Sequence, residues 1–317
     1  MPVFQHWCVR RAAGLVLAAA IVNLFSAAGA EARRWGPGYF PNLPVQNQHG
    51  ETLNFYDDVI KGKIVVISFI FTRCTDICPL TTSRLAEAAE KLRDELGRTV
   101  HFISLSVDPE NDTPDKLAGF AAAFHSGPGW QFLTGTYENM RLINDKFGER
   151  MSSLTQHRNE ILIGNDATVD WQRNTVFGDI ERFVFDVRAM DPKWRAQVRT
   201  PPTDPASNLG YQLPTAPGQA LFNRMCASCH TLGGAKRVGP DLADIASRRS
   251  RDWLLRYMKS PESLRRENDP TALALRGQYP NVRMPELLIN ELDAKDLLDY
   301  IDRVSSRSGA GQARRAQ

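Results

Sequence analysis

The sequence predicts an α/β layer domain with a largely parallel sheet, then a proline-rich break, then a second and smaller unit. Three observations support this. Ile64 to Phe71 is an apolar run broken only by Ser68 and rich in β-branched and aromatic residues, the texture of a central strand buried on both faces. Strand-like and helix-like stretches then alternate in the order β-α-β-α-β-α-β-β, which suits parallel neighbours joined by helices. From Asp191 to Pro217 periodicity stops and six prolines crowd together, the composition of a semi-extended linker.

Taken in order, Trp35 to Asn47 is polar and rich in Pro and Gly, and reads as an irregular lead-in. The strand at 64–71 runs into Cys74, Cys78 and Pro79. Leu85, Ala88, Ala89, Leu92 and Leu96 follow at helical spacing, so a helix is expected over 79–96. Proline is tolerated in a first turn because its missing N–H would have had no partner. The unpaired N–H groups there carry partial positive charge, which favours thiolate over thiol. Thr99 to Val107 is a second apolar strand. Asp112-Thr113-Pro114 opens another helix with Leu117, Phe120, Ala121 and Phe124 on one face. A short strand at 131–133, a helix over 137–147 and a hairpin of 161–163 and 168–171 turning at Gly164-Asn165-Asp166 complete the first domain, bounded at 36–190. The linker spans 191–215, the second unit 216–304, and 305–317 reads as a disordered basic tail.

With 317 residues, 42% of them hydrophobic, the chain can bury two ordinary cores. Arg10 and Arg11 precede an uncharged run from Ala12 to Ala30 that ends in small residues, so residues 1–30 read as an export signal or an uncleaved membrane anchor. Either way the body is expected outside the cytoplasm, in the periplasm. Without that segment 37 basic residues face 36 acidic ones, a balance that gives no reason to expect nucleic acid as a partner. Apart from Cys8, the cysteines form two tight pairs far apart: Cys74 with Cys78, and Cys226 with Cys229. Disulfide-stapled domains scatter their cysteines, so two close pairs suggest two chemical sites.

Cys226-Ala227-Ser228-Cys229-His230 is C-x-x-C-H. Two thiols at that spacing on a helix can both bond the vinyl groups of a porphyrin, with His230 then aimed at the iron. Half of a zinc site is the other reading, but no histidine follows His230 and no further C-x-x-C appears. Met284 is the expected sixth ligand, because it precedes Pro285 in a non-helical stretch. Met258 falls in a helical pattern and is expected in the core. Gly218-x-x-Leu221-Phe222-x-x-x-Cys226-x-x-Cys229-His230, Gly239-Pro240-Asp241-Leu242, Met284-Pro285 and Leu298-x-Tyr300-Ile301 resemble a class I cytochrome c. That resemblance implies a small all-α domain holding haem c with His230 and Met284 as axial ligands, its terminal helices crossing near Gly218, Phe222 and Tyr300.

The first pair is C-x-x-x-C, one residue wider than the thioredoxin-type C-x-x-C. Such a loop permits a disulfide between redox-active thiols, and it also lets two sulfurs converge on one soft ion such as Cu(I). The histidines of the first domain are His49, His101, His125 and His157. His157 is the expected third ligand, since it precedes the strand at 161–163 where a thioredoxin-like fold would bring a residue to the active site. Phe69 to Thr81 with its Thr72-Arg73-Cys74-Thr75-Asp76-Ile77-Cys78-Pro79 segment, Ser106-Val107-Asp108-Pro109-Glu110 with Asp112-Thr113-Pro114, and Leu133-Thr134-Gly135 resemble the Sco/SenC family. The resemblance implies an α/β thioredoxin-like domain and copper held by Cys74, Cys78 and His157. It also implies a role in assembling the copper centre of cytochrome c oxidase, with that oxidase's copper-bearing subunit as partner and other periplasmic electron carriers beside it.

Several functions therefore stand open. The first is copper handling, with the fused haem adding one-electron transfer. The second is a thiol–disulfide oxidoreductase acting on the cysteines of a copper-protein client. A thiol peroxidase ranks last, because Thr75-x-x-Cys78 has the right spacing while Phe71 stands where that chemistry expects proline. One-electron stoichiometry favours copper, since a disulfide takes two electrons. The plainest alternative is co-tethering, in which the haem serves the oxidase independently of the thiols.

Overall fold

The long apolar run forms an interior strand of a seven-stranded sheet, buried along its whole length from Ile64 to Ile70. A computed structural model describes residues 35–36, 38–149, 154, 160–198 and 218–315. Its strands are β1 (Pro44–Asn47), β2 (Thr52–Asn54), β3 (Ile64–Ile70), β4 (Val100–Ser106), β5 (Trp130–Thr134), β6 (Ile161–Asn165) and β7 (Asp170–Asn174), in the spatial order β2-β1-β5-β4-β3-β6-β7. The first domain's helices are α1 (Ile77–Lys91), α2 (Pro114–Ala123), α3 (Tyr137–Lys146), α4 (Ile180–Arg188) and α5 (Pro192–Gln197).

β3 pairs in parallel with β4 from Ile64↔Val100 to Ile70↔Ser106, and β4 pairs in parallel with β5. β6 pairs with β3 antiparallel. This is the α/β thioredoxin-like arrangement expected. Alternation along β3 divides the core. Ile64, Val66 and Ile70 face a cluster with Leu85, Leu117, Phe120 and Phe183 from α1, α2 and α4, while Val65, Ile67 and Phe69 face Met140, Ile143 and Phe147 around α3. Ser68, the one polar residue in the run, bonds Ser104 across the ladder at 2.9 Å, and the Trp130 indole N–H donates to that same Ser104. The interruption is therefore a satisfied buried polar pair.

Four expectations need correction. The lead-in is not wholly irregular: Pro44–Asn47 is a strand that pairs with both β2 and β5. The hairpin turns at 166–169, not at Gly164-Asn165-Asp166, because Gly164 lies within β6 under the ring of Trp171, where a Cβ would come within 2.2 Å of the indole. The stretch read as linker from 191 opens as α5, with Asp191 capping it through Lys193 N–H and Pro192 in its first turn. The tail read as disordered from 305 continues the last helix to Arg315.

The second unit is all-α: α6 (Gln219–Met225), α7 (Ile245–Arg248), α8 (Arg251–Lys259), α9 (Pro261–Arg266), α10 (Pro270–Gln278) and α11 (Glu291–Arg315). Ala294, Leu297, Leu298 and Ile301, at helical spacing, form a buried stripe along α11. α6 and α11 cross at Gly218, where φ is +79° and a Cβ would lie 2.1 Å from the Asp296 carbonyl. Phe222 and Tyr300 pack beside that crossing as a tilted pair with ring centroids 5.5 Å apart.

The described residues from Trp35 onward belong to one compact unit, so the two folds touch. Val238 is buried in the core shared with α1 and α2, and Cys229 and Val282 pack against it. No described helix is long and apolar enough to cross a membrane, and residues 1–30, read as signal or anchor, lie outside the described residues.

Candidate functional site

The C-terminal ends of β3 and β4 lie side by side, and both chains turn there into loops that carry functional groups. From β3 come Thr72, Arg73 and Cys74, then Cys78 in the first turn of α1. From β4 come Asp108 and Asp112. Ligand sites in parallel sheets gather at this edge.

Cys74 and Cys78 are buried thiols, 3% and 1% exposed, joined by a side-chain hydrogen bond and not by a disulfide. Burial pushes the Cys78 thiol well above its ordinary value, and the hydrogen bond to Cys74 and its charge push the same way. The helix N-terminus was expected to favour thiolate; here desolvation outweighs it. Asp112, wholly buried, anchors the loop before Cys74: it accepts from Thr72 N–H at 3.0 Å, Thr72 Oγ1 at 2.6 Å and Ser106 Oγ at 2.6 Å. Burial raises its carboxyl above the usual range, partly offset by the bonds from Ser106 and Thr72. Arg73 donates from Nε and Nη2 to the same oxygen of Asp108, at 3.0 and 2.7 Å.

His157 lies outside the described residues. Among the described residues no group of three His, Cys, Asp or Glu side chains is arranged to hold a metal. His101 sits in β4 opposite Val65, away from the C-terminal edge, and burial lowers its pKa. His49 is exposed between β1 and β2, and His125 is exposed after α2.

The second site gathers its expected residues in one apolar cleft: Cys226, Cys229, His230, Met284 and also Met258. The cleft fits a haem on three counts. His230 Nδ1 donates to the Pro240 carbonyl at 2.8 Å, which fixes the tautomer and leaves Nε2 with a lone pair for iron. Gly239 lies so close to that ring that a Cβ would sit 2.4 Å from His230 Cε1. Leu254, Leu287, Leu298 and Ile301 supply apolar walls, while Arg248, Arg249, Arg276 and Arg283 bring positive charge suited to carboxylates. Burial lowers the His230 pKa, which keeps the imidazole neutral as a ligand must be, and raises the Cys226 thiol to about 12. Met258, expected in the core, is buried there and reaches the cleft as well.

Sequence reasoning missed how the two sites meet. Pro79 and Leu80 of α1 help line the haem cleft. Cys229 Sγ donates to Ser83 Oγ of α1 at 3.0 Å. Glu286 N–H, two residues beyond Met284, donates to the carbonyl of Thr75, between the two first-domain cysteines, at 3.0 Å. Nothing in a linear pattern signals these contacts. The Asp108 and Asp112 anchors did have a signal: two carboxylates at the end of a strand expected to run beside the cysteine strand.

A SCO1/SenC family model matches residues 44–191, and a cytochrome c family model matches residues 215–305. The SCO1 protein homolog of Bacillus subtilis is 43% identical over 91 residues, covering 28% of this chain and 46% of that protein. Protein sco1 of Schizosaccharomyces pombe is 35% identical over 101 residues, covering 32% of this chain and 37% of that protein. The chain thus spans less than half the length of these relatives. Among solved structures, a SCO1/SenC family lipoprotein from Bacillus anthracis is 23% identical with a TM-score of 0.43, covering 51% of this chain and 98% of that one. Copper-bound ScoI of Bradyrhizobium japonicum is 22% identical with a TM-score of 0.38, covering 48% and 99%.

Proposed function

This chain carries a SCO1/SenC domain over residues 44–191 and a cytochrome c domain over residues 215–305, and from that premise we propose that it binds copper outside the cytoplasm and delivers it to the copper-bearing subunit of cytochrome c oxidase. The observation that carries this reading is the contact between Cys74 and Cys78 at the first turn of α1. Two sulfurs already in touch need little rearrangement to converge on one cuprous ion, which prefers soft donors.

Copper is cargo here. Its entry displaces the thiol protons, so binding releases acid and strengthens as pH rises. Cys74 and Cys78 act as thiolate ligands, and His157 supplies an imidazole that lets the site accept Cu(II) as well as Cu(I). Thr72, tied to Asp112, and Arg73, tied to Asp108, hold the strand-to-loop exit so that Cys74 keeps its position relative to the helix. In the second domain Cys226 and Cys229 would hold haem c covalently, with His230 and Met284 as axial ligands. When bound, haem supplies a one-electron couple, which matches Cu(II)/Cu(I) and not the two electrons of a dithiol.

The test is metal analysis with visible spectroscopy of the exported holoprotein beside Cys74→Ser/Cys78→Ser and His157→Ala. The expected result is about one copper per chain, lost in the double variant and weakened about 10- to 100-fold in His157→Ala. A wild-type protein that takes no copper while exchanging disulfides efficiently would replace this reading with the oxidoreductase one. An unchanged copper content and spectrum in His157→Ala would remove His157 from the site.

A further inference from the structure

The segment Met284-Pro285-Glu286 is gripped from both domains. On its own side, Arg265 Nη2 donates to the Met284 carbonyl at 3.5 Å, and Arg265 is itself buried and paired with Glu262. The Glu286 carboxylate accepts from Ser260 Oγ and from the Glu262 N–H at the start of α9. On the other side, the Glu286 N–H reaches across to the Thr75 carbonyl. Thr75 lies in the loop between Cys74 and Cys78, both nearly sealed from solvent. Further contacts reinforce the docking at its edges: Asn281 packs so tightly on α2 that a Cβ at Gly119 would lie 3.0 Å from its amide, and Cys229 meets Ser83.

We propose that Glu286 is a positioning residue whose backbone N–H clamps the Cys74–Cys78 loop shut, so that access to the thiol pair and the seating of Met284 are coupled. The proposal rests on the reading of Met284 as a haem ligand and of the thiol pair as the working site. Its physical content is a shared segment: only one residue separates the side chain that faces the haem cleft from the N–H that holds the thiol loop. A displacement of Met284 tugs on Thr75, and an opening of the thiol loop loosens Met284. Coupling of this kind is reciprocal by thermodynamic necessity.

The experiment uses the full-length ferric holoprotein, free of copper, with its thiols reduced. The rate of alkylation at Cys74 and Cys78 by iodoacetamide is measured by mass spectrometry. Glu286→Pro removes the N–H donor. Glu286→Ala keeps that donor and loses only the carboxylate contacts. Glu286→Pro should react about five- to tenfold faster than wild type, the change in open population from losing one backbone hydrogen bond, and Glu286→Ala should react near the wild-type rate. A second arm needs no variant: saturating cyanide, which displaces a methionine ligand from ferric haem, should accelerate alkylation of the wild type by a similar factor. Equal alkylation rates in wild type and a folded Glu286→Pro, or no effect of cyanide where the methionine-to-iron absorption band has disappeared, would overturn the clamp. Acceleration in both arms by a protein that fails to take up copper supports the clamp and removes the copper reading, so the two failures are told apart.

Discussion

Replacing Asp112 removes the acceptor for three donors at once, which makes it the sharpest probe of how the thiol loop is held. In Asp112→Ala, Ser106 Oγ loses its partner in a fully buried site, and both the N–H and the hydroxyl of Thr72 lose theirs at a partly buried one. A buried donor left without an acceptor costs about 1–3 kcal/mol. Ser106 bears that in full; its hydroxyl also accepts from Asp108 N–H, which restricts how it can turn. Thr72 recovers part of its loss from water, so the total is about 2–4 kcal/mol. Asp112→Asn keeps one oxygen as acceptor, and a hydroxyl can rotate to receive its N–H, so about 1 kcal/mol is expected.

The pH dependence is the control. Burial raises the Asp112 carboxyl in the folded protein, so the native state holds this proton to higher pH than the unfolded chain does. Its contribution to stability is therefore complete below the ordinary carboxylate value and is lost as pH rises through the raised one. Urea unfolding followed by far-UV circular dichroism across the acid-to-neutral range measures both effects. Asp112→Asn should flatten that part of the profile. An Asp112→Ala protein within about 0.5 kcal/mol of wild type, the range of an ordinary surface substitution, would refute the reasoning.

Three further outcomes are expected. Gly239→Ala forces a methyl group into the His230 ring, which has no flexible end to yield, so purified protein should show a weakened histidine-ligand signature by electron paramagnetic resonance and a Soret transition at lower denaturant. Gly218→Ala places its methyl against the Asp296 carbonyl and strains a left-handed residue; the second domain should lose about 2–5 kcal/mol, read from the urea midpoint of the Soret band. Adding Cu(II) to the reduced holoprotein should bleach the haem α-band with about one equivalent, and Cys74→Ser/Cys78→Ser should abolish the response; equal bleaching in both proteins would favour simple co-tethering.

What the sequence made legible follows from which interactions are local. β3 could be read because seven adjacent residues, Ile64–Ile70, are all buried, and α11 because a stripe of Ala294, Leu297, Leu298 and Ile301 needs only helical period. Cys226, Cys229 and His230 could be singled out because they fall within five consecutive residues, and the structure brings them to one cleft. The hairpin turn was misplaced because Gly164-Asn165-Asp166 has the composition of a turn, while the true reason for Gly164 is the ring of Trp171, its partner across the ladder. β1 was missed because it is four residues long and its two buried side chains, Val45 and Asn47, make too short an alternation to stand out. The thiolate expectation failed for a similar reason: a helix N-terminus is visible in a sequence, whereas the burial that overrides it is not.

One turn of helix explains how the Cys74–Cys78 pair and the cleft around His230 lie close without sharing side chains. Successive residues of a helix are rotated by about 100°, so Cys78 and Leu80 point about 200° apart, and Ser83 returns to the side of Leu80. The side opposite the thiol faces the second domain: Leu80 lines the haem cleft and Ser83 meets Cys229. Side chains of α1 thus separate the sites, with Cys78 on one flank and the cleft wall on the other. A backbone contact is also made at the helix entrance, where the chain has not yet acquired two faces. That is where Thr75 offers its carbonyl to Glu286, a hydrogen bond that joins the loop between Cys74 and Cys78 to the segment carrying Met284.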